Sequence, residues 1–171
     1  METKVTTPAI KGTLLALVLI VIGLAIYFTG QSQNKSLGYV SMGLYAGAII
    51  FSCTYYAKQM GGIVTFGNVF AYGFKTAAAA TAIFLVYTFI AFKFIMPEMV
   101  DLSLDAARKG MEEKKNLTSE QVEQSLEMVR KFFIPFAIGG ALFMYLFIGV
   151  IAALIGAAVA KKTAAPSPFE Q

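Results

Sequence analysis

The sequence contains no histidine, no tryptophan and only one cysteine, Cys53. Without histidine, the chain lacks the commonest general base at neutral pH and the commonest transition-metal ligand. A lone cysteine cannot form a disulfide within the chain, so cysteine usage does not assign a redox compartment. Because Ser52, Cys53 and Thr54 lie in an uncharged apolar run, packing explains them better than nucleophilic chemistry. We therefore expect no catalytic residue, no cofactor and no metal.

Acidic residues are also missing from every long apolar run. Eight of the ten carboxylates lie in residues 97–131, the one long polar stretch. They are Glu98, Asp101, Asp105, Glu112, Glu113, Glu120, Glu123 and Glu127. An ion-coupled transporter usually places an acid or a histidine within a membrane span, so this class is disfavoured. A passive pathway or a lipid carrier does not need such a residue.

Apolar residues, in contrast, make up 57% of the chain, against about 45–50% in soluble domains. They are gathered into four runs, which is typical of membrane-spanning helices. We predict spans at residues 13–29, 37–57, 69–92 and 132–160. The first run is long for a signal peptide and no cleavage motif follows it, which favours an uncleaved span over a cleaved signal. The net charge is +4, but no Lys/Arg cluster typical of nucleic-acid binding occurs.

Small residues recur one helical turn apart in the second, third and fourth spans. Such faces let helices approach closely where water supplies no hydrophobic drive. We predict that they hold helix contacts, either within the chain or between chains. The positions are Gly43, Gly47, Gly73, Gly149, Ala153, Gly156 and Ala160.

Lysines mark the ends of the spans, and Lys75 lies inside the third. Its long side chain can extend to the membrane interface, which is the simpler interpretation. The alternative is contact with a lipid phosphate or an anionic substrate. For that alternative the candidate residues are Lys58, Lys75 and Lys93.

The polar stretch at 97–131 has the helical period in both of its halves. Apolar residues recur at spacings of three and four, which predicts two amphipathic helices separated by a turn near residues 114–118. The two stripes are Val100, Leu104, Ala107 and Met111, then Val122, Leu126, Val129 and Phe133. Thr118 with Gln121 matches a capping box at the start of the second helix. Pro97 predicts a bend before the first helix, and Pro135 a lost hydrogen bond in the fourth span.

Two arrangements of these amphipathic helices are open. They can pair as a hairpin that protrudes between the third and fourth spans, or lie flat on the membrane. Their carboxylates would be repelled by anionic lipid, which favours the protruding hairpin. Glu120, Glu123 and Glu127 share one face, but a solvated face explains them better than a cation site, since no Gly-pinned calcium loop is present. We thus predict one all-α domain over residues 1–171: an integral membrane four-helix bundle with a helical hairpin, and a disordered tail at 163–171.

The segment FGNVFAYGF, residues 66–74, opens the third span. Together with the order of the spans, the Pro97-Glu98 exit and the polar hairpin, it resembles an uncharacterised family of bacterial inner-membrane proteins, domain of unknown function four-one-nine-nine. The resemblance covers almost the whole chain and implies four membrane helices with no catalytic residues to transfer. It also implies work on envelope lipids or glycans, because members of the family look to be encoded beside genes similar to polyprenyl-phosphate glycosyltransferases. The matching positions are Phe66, Gly67, Phe70, Gly73 and Phe74.

Four spans place both termini on one side of the membrane. The side with the termini carries six lysines, and the side with the hairpin carries eight Lys and Arg residues. Because the cations of the hairpin lie among carboxylates and at lower density, we expect both termini in the cytoplasm.

Three functions are compatible with this pattern. The first is a non-enzymatic accessory or scaffold protein of the inner membrane, such as a subunit of an envelope-biogenesis complex, that contacts lipid and either another membrane protein or its own copies. The second is a small carrier or flippase for a lipid-linked phosphate. An enzyme acting on lipid ranks third, because no residue is suited to act as a base.

Overall fold

The structure is a computed structural model that describes residues 5–32, 34–112 and 118–160. Within these ranges the chain is helical and contains no strand. The helices are α1 (Pro8–Phe28), α2 (Lys35–Gln59), α3 (Phe66–Ile90), a π-helical turn (Ala91–Ile95), α4 (Glu98–Glu112) and α5 (Ser119–Val159). The predicted tail at 163–171 lies outside the described residues, as does most of the predicted turn at 114–118.

Short polar side chains and glycines fix where the helices begin and end. The hydroxyl of Thr7 accepts a hydrogen bond from the Ile10 amide at 3.4 Å, and Pro8 occupies the first turn of α1. The Asn34 side chain caps α2 in the same way, through the Ser36 amide. After α2 the chain turns at Gly61 and Gly62, whose φ angles of 64° and 80° suit glycine.

Four of the helical stretches are long and apolar enough to cross a membrane: Pro8–Phe28, Lys35–Gln59, Phe66–Ile95 and Ser119–Val159. They contain the predicted spans at 37–57 and 69–92, and all but the last residue of those at 13–29 and 132–160. Large apolar side chains on their surfaces are exposed, for example Phe28 at 76% and Phe143 at 71%. Apolar side chains on the outside suit hydrocarbon rather than water, so the chain is a membrane protein.

The residues divide into two compact units. The first contains the chain up to Phe84 and from Phe143 onward, so that α1, α2, most of α3 and the end of α5 belong to it. Its core is built from small and medium side chains and includes the buried residues Leu19, Tyr45 and Cys53.

Close helix contacts in the first unit occur at glycines. A Cβ built on Gly149 would lie 2.7 Å from the Ala77 Cβ, and one on Gly156 would lie 2.7 Å from the Cys53 Cβ. A Cβ on Gly73 would meet the Cys53 Sγ. Each position therefore has room only for hydrogen.

The other predicted packing positions are placed in two different ways. Ala153 and Ala160 are buried in the first unit. At Gly43 and Gly47, in contrast, no atom of the described chain lies within 4 Å of an added Cβ. These two glycines therefore make no close helix contact within the described chain. That they contact a helix of another chain stays a prediction. Gly12, which the small-residue pattern omitted, is packed against Ala79 instead.

Tyr45 carries the main polar contact of this core. Its hydroxyl lies 3.1 Å from the Thr81 hydroxyl and donates toward the Tyr145 carbonyl at 3.1 Å. The Tyr45 and Tyr145 rings meet edge to face, with centroids 5.0 Å apart. One fully buried side chain thus joins α2 to α3 and α5.

The second unit, Leu85–Leu142, contains the end of α3, the π-helical turn, α4 and the first part of α5. The turn closes with a hydrogen bond of 2.8 Å from the Met96 amide to the Ala91 carbonyl. Helical structure stops at Met96 because the following Pro97 disfavours helical geometry in the residue before it. The break at Pro97 was predicted from the sequence, but the π-helical turn was not.

Two ion pairs join α4 to α5. Arg108 Nη2 lies 3.0 Å from Glu123 Oε2, and Arg130 Nη2 lies 3.3 Å from Asp101 Oδ1. Since the partners are equally spaced on the two helices but in opposite order, α4 and this part of α5 are antiparallel. Between them lie the two predicted stripes, whose residues are all buried or half-buried. We call α4 together with residues 119–131 of α5 the α4–α5 hairpin.

The beginning of α5 confirms the predicted capping box. The Thr118 amide donates to Gln121 Oε1 at 2.9 Å, and the Gln121 amide donates to the Thr118 hydroxyl at 3.3 Å. Pro135 lies inside α5 and does not end it. The second polar helix and the fourth span are consequently one helix.

Glycine substitutions test the packing of the first unit. Gly149→Ala should lower the free energy of unfolding by about 1–3 kcal/mol, because the new methyl group overlaps Ala77. Gly47→Ala, at a position with open space, is the matched control and should be neutral or stabilising by up to about 1 kcal/mol. Thermal unfolding in detergent, followed by reaction of the buried Cys53 thiol with a fluorogenic dye, measures both. Equal melting temperatures for the two variants would contradict the packing described here.

Leucine substitutions test the α4–α5 hairpin. Leu126→Ala should cost about 2 kcal/mol or more, because Leu126 is buried between the helices. Leu102→Ala, on the exposed face of α4, should change stability by less than about 0.5 kcal/mol. Amide hydrogen exchange in α4 is the measurement: exchange should accelerate in the first variant and stay unchanged in the second. Unchanged protection of α4 in Leu126→Ala would show that α5 does not hold α4.

Candidate functional site

Polar side chains of the first unit gather where α1 begins, α2 ends and α3 begins. The cluster consists of Lys11, Tyr55, Gln59 and Tyr72, and we call it the lysine–tyrosine cluster. The Thr7 cap starts α1 just before Lys11, and the last turns of α2 carry Tyr55 and Gln59 one turn apart on a single face.

Lys11 makes only aromatic contacts in the described structure. Its Nζ lies 4.1 Å from the centroid of the Tyr55 ring and 5.5 Å from that of Tyr72. The Nζ atom is buried, and no hydrogen-bond acceptor for it exists among the described residues. A buried ammonium without an acceptor loses its hydrogen bonds to water, and attraction to a ring face replaces only a small part of that stabilisation.

Tyr72 is held in place from two sides. Its hydroxyl donates to the Thr6 carbonyl at 2.6 Å, which ties α3 to the segment before α1. Its ring stacks on Tyr56, with centroids 4.2 Å apart and planes 12° from parallel. Tyr72, one of the two rings beside Lys11, is therefore fixed both by a hydrogen bond and by ring stacking.

Gln59 adds a second buried polar atom to the cluster. Its Oε1 is covered and has no hydrogen-bond donor within residues 5–32, 34–112 and 118–160. Because an amide side chain offers both donors and an acceptor, Gln59 can bind either kind of group. Two polar side chains of one cluster thus have hydrogen-bonding capacity that the described protein atoms leave unused.

An apolar groove of about 320 Å³ runs from Lys11 between α1 and α2. Along α1 its lining passes from Lys11 to Val18, and along antiparallel α2 it passes from Ser52 to Leu44. Lys11 therefore stands at one end of the groove. The remaining lining residues are Leu14, Leu15, Ala48 and Phe51.

The charge of the first unit has one sign where the structure describes it. All described carboxylates belong to the second unit, whereas the described cations of the first unit are Lys11, Lys35, Lys58 and Lys75. Of these, Lys35 begins α2, at the end of that helix opposite Tyr55. No described acid in this unit can neutralise Lys11.

The three lysines predicted to contact lipid phosphate do not form one site. Lys58 and Lys75 are exposed in the first unit, near the end of α2 and in the first half of α3. Lys93 lies in the π-helical turn of the second unit, 5.5 Å from the centroid of the Phe94 ring. Since Lys75 and Lys93 are near opposite ends of the span Phe66–Ile95, one headgroup cannot contact both.

The second unit has an uncovered groove of about 860 Å³ along one side of α5. No charged residue lines it. Met128 and Phe136 on this side are 66% and 76% exposed. We call this surface the open face of α5. Its lining residues are Gln121, Gln124, Ser125, Met128, Val129, Phe132, Phe133, Phe136 and Ala137.

The described residues contain no group of three or more metal-ligating side chains. Glu123, part of the acidic face considered for a cation, is paired with Arg108. Cys53 is buried in the core, with its Sγ 3.7 Å from the Val69 carbonyl, as its apolar sequence context predicted.

The lysine–tyrosine cluster was not predicted from the sequence. No local pattern in the sequence places Lys11 beside Tyr55. Their contact joins helices separated by more than forty residues. The one available signal was a lysine in the first turn of a span whose hairpin partner ends in Tyr55-Tyr56.

Comparison with curated proteins and with solved structures finds no match for this chain. A protein family described as "Protein of unknown function (DUF4199)" matches residues 11–162. The match covers all four membrane-spanning stretches almost completely and includes residues 66–74, on which the resemblance was based. The chain therefore belongs to the DUF4199 family of proteins of unknown function.

Proposed function

We propose that this chain is a non-enzymatic accessory or scaffold protein of the bacterial inner membrane, whose α5 helix binds another membrane protein through its open face. The observation that carries the proposal is the contrast between the sides of α5. One side packs on α4, whereas the neighbouring open face combines exposed Met128, Phe132 and Phe136 with uncharged polar residues. Exposed apolar surface of this size, bordered by polar residues, is typical of interaction sites.

The polar end of the open face supports a protein partner over lipid alone. Gln121, Gln124 and Ser125 bring amide and hydroxyl groups that a lipid acyl chain cannot bind, and they lie in the part of α5 that belongs to the hairpin. Met128 and Phe132 bring the adaptable and aromatic surface that interfaces favour. The complementary surface of the partner is a helix with an apolar segment that packs on the apolar end of the open face. An uncharged polar segment follows it and bonds to the polar end.

The proposal includes an arrangement in the membrane. The four spans form a helical bundle, the α4–α5 hairpin lies in water, and both termini are cytoplasmic. The ion pairs Arg108–Glu123 and Asp101–Arg130 support the position of the hairpin, because exposed ion pairs need water around them. Lysines near the termini support the orientation.

A carrier or flippase for a lipid-linked phosphate is the second candidate function. The cations of the first unit, without described acids beside them, favour it. It ranks lower because Lys75 and Lys93 belong to opposite ends of one span. In addition, the polar groups of Tyr45 and Thr81 in the core bond to each other.

Site-specific photo-crosslinking tests the proposed role of the open face. A benzoylphenylalanine at Met128 should give a discrete protein adduct in native membranes, because this side chain points into the open groove. The matched control is the same group at Glu127, which is adjacent in sequence and lies on the side of α4. The measurement is the adduct pattern on gels, with the partner identified by mass spectrometry.

An adduct of twice the chain mass would identify the partner as a second copy. Met128→Glu should then reduce recovery of the partner by at least about tenfold, since a charge would be buried in the interface. Equal adducts from both positions, or a monomeric chain without a partner after native purification, would remove the proposal.

A further inference from the structure

We propose that the lysine–tyrosine cluster binds the phosphate of an acidic phospholipid, with one acyl chain of that lipid lying in the groove between α1 and α2. This site lies in the first unit and is independent of the open face of α5. The inference therefore goes beyond the proposed scaffold function.

The unused hydrogen-bonding capacity of Lys11 is the first argument. An ammonium has three donors, and none has an acceptor in the described part of the chain. The Tyr55 ring faces the ammonium at 4.1 Å, but its hydroxyl makes no hydrogen bond to the ammonium. A phosphate oxygen is the strong acceptor that such a group lacks, and the resulting charge-assisted bond is stronger than one between neutral groups.

The sign of the surrounding charge is the second argument. The described residues of the first unit include no carboxylate, so no anion in the described part of this unit competes for Lys11. Lys58, in the last turn of α2, and Lys75, in the first half of α3, belong to the same end of the unit as Lys11. Their summed field attracts an anion to that end.

The groove identifies the anion as part of a lipid. Beyond Lys11 the lining is almost wholly apolar, through Leu14 and Val18 on α1 and Phe51 and Leu44 on α2. From Lys11 to Val18 it extends about 10 Å along the helix, enough for the first part of an acyl chain. A free phosphate could bind Lys11 but would not cover the apolar groove. A phospholipid has a phosphate followed by an acyl chain along the membrane normal, which is the same order as Lys11 followed by the groove.

Gln59 suggests what else the headgroup carries. Its buried Oε1 lacks a donor among the described residues, one turn beyond Tyr55 on the same face of α2. A phosphodiester with a hydroxyl group, as in phosphatidylglycerol, supplies both the acceptor for Lys11 and a donor for Gln59.

Native mass spectrometry of the full chain in detergent, titrated with dioleoyl phosphatidylglycerol or dioleoyl phosphatidylcholine, tests the proposal. The unmodified protein should retain one phosphatidylglycerol in preference to phosphatidylcholine. Lys11→Met should weaken retention of phosphatidylglycerol by at least about fivefold, through loss of one cation near the phosphate. Lys11→Arg should keep it. Lys35→Met, at an exposed lysine at the opposite end of α2, is the matched control and should change retention by less than about twofold.

A second variant separates the acyl chain from the headgroup. Ala48→Leu places a larger side chain in the groove and leaves Lys11 in place. It should also reduce retention of phosphatidylglycerol, and glycerol 3-phosphate at equal concentration should not displace the lipid. Displacement by glycerol 3-phosphate would show a site for the headgroup alone and would overturn the proposal.

Thermal stability gives a readout that does not depend on lipid retention. Without lipid, Lys11→Met should melt no lower than the unmodified protein, because it removes a buried ammonium without an acceptor. Added phosphatidylglycerol should raise the melting temperature of the unmodified protein and not that of the variant. Equal lipid stabilisation of both, or equal lipid loss in Lys11→Met and Lys35→Met, would overturn the proposal.

Discussion

Close approach of helix backbones is the constraint on which the first unit depends. Between helices in hydrocarbon, water provides no hydrophobic drive, so van der Waals contact and hydrogen bonds must hold the helices together. Gly149 admits α5 to Ala77 of α3 and brings its backbone beside the Tyr45 hydroxyl. That hydroxyl then bonds to Thr81 and to the Tyr145 carbonyl. Gly149 and Tyr45 act together here, because the missing side chain of the glycine lets the helices come close enough for the tyrosine hydroxyl to bond between them.

The same absence of water explains how charge is distributed. The first unit excludes carboxylates wherever it is described and carries lysines near helix ends, where long side chains can extend toward the membrane interface. In the second unit, acids and arginines pair across α4 and α5 at exposed positions. Each such pair contributes little to the free energy of unfolding, but it helps to fix which turns of α4 and α5 face each other. Lys11 departs from this pattern, because its ammonium is covered by aromatic rings and bonds to no described acceptor.

Local patterns predicted the features that depend on neighbours in sequence. Hydrophobic runs located the spans, and the spacing of Val122 and Leu126 identified the face of α5 that α4 covers. The reciprocal bonds of Thr118 and Gln121 followed from a four-residue motif. Contacts between distant segments were not available from such patterns. Gly47 and Gly149 look alike in sequence, yet of the two only Gly149 meets another helix of the described chain, because rotation of each helix about its axis is a tertiary property. The aromatic surroundings of Lys11 escaped prediction for the same reason.

At the π-helical turn Ala91–Ile95, the direction of the chain depends on the number of residues in the turn rather than on their side chains. Its bond from the Met96 amide to the Ala91 carbonyl spans five residues, one more than an α-helix allows. Removing one residue of this turn would replace the longer bond with an α-helical one and change the direction in which the chain leaves α3 by about 100°, the angle between successive α-helical residues. Substitution of a side chain within the turn leaves that direction unchanged. The number of residues between the third span and Pro97 therefore sets where α4 starts more strongly than the side chains that fill the turn.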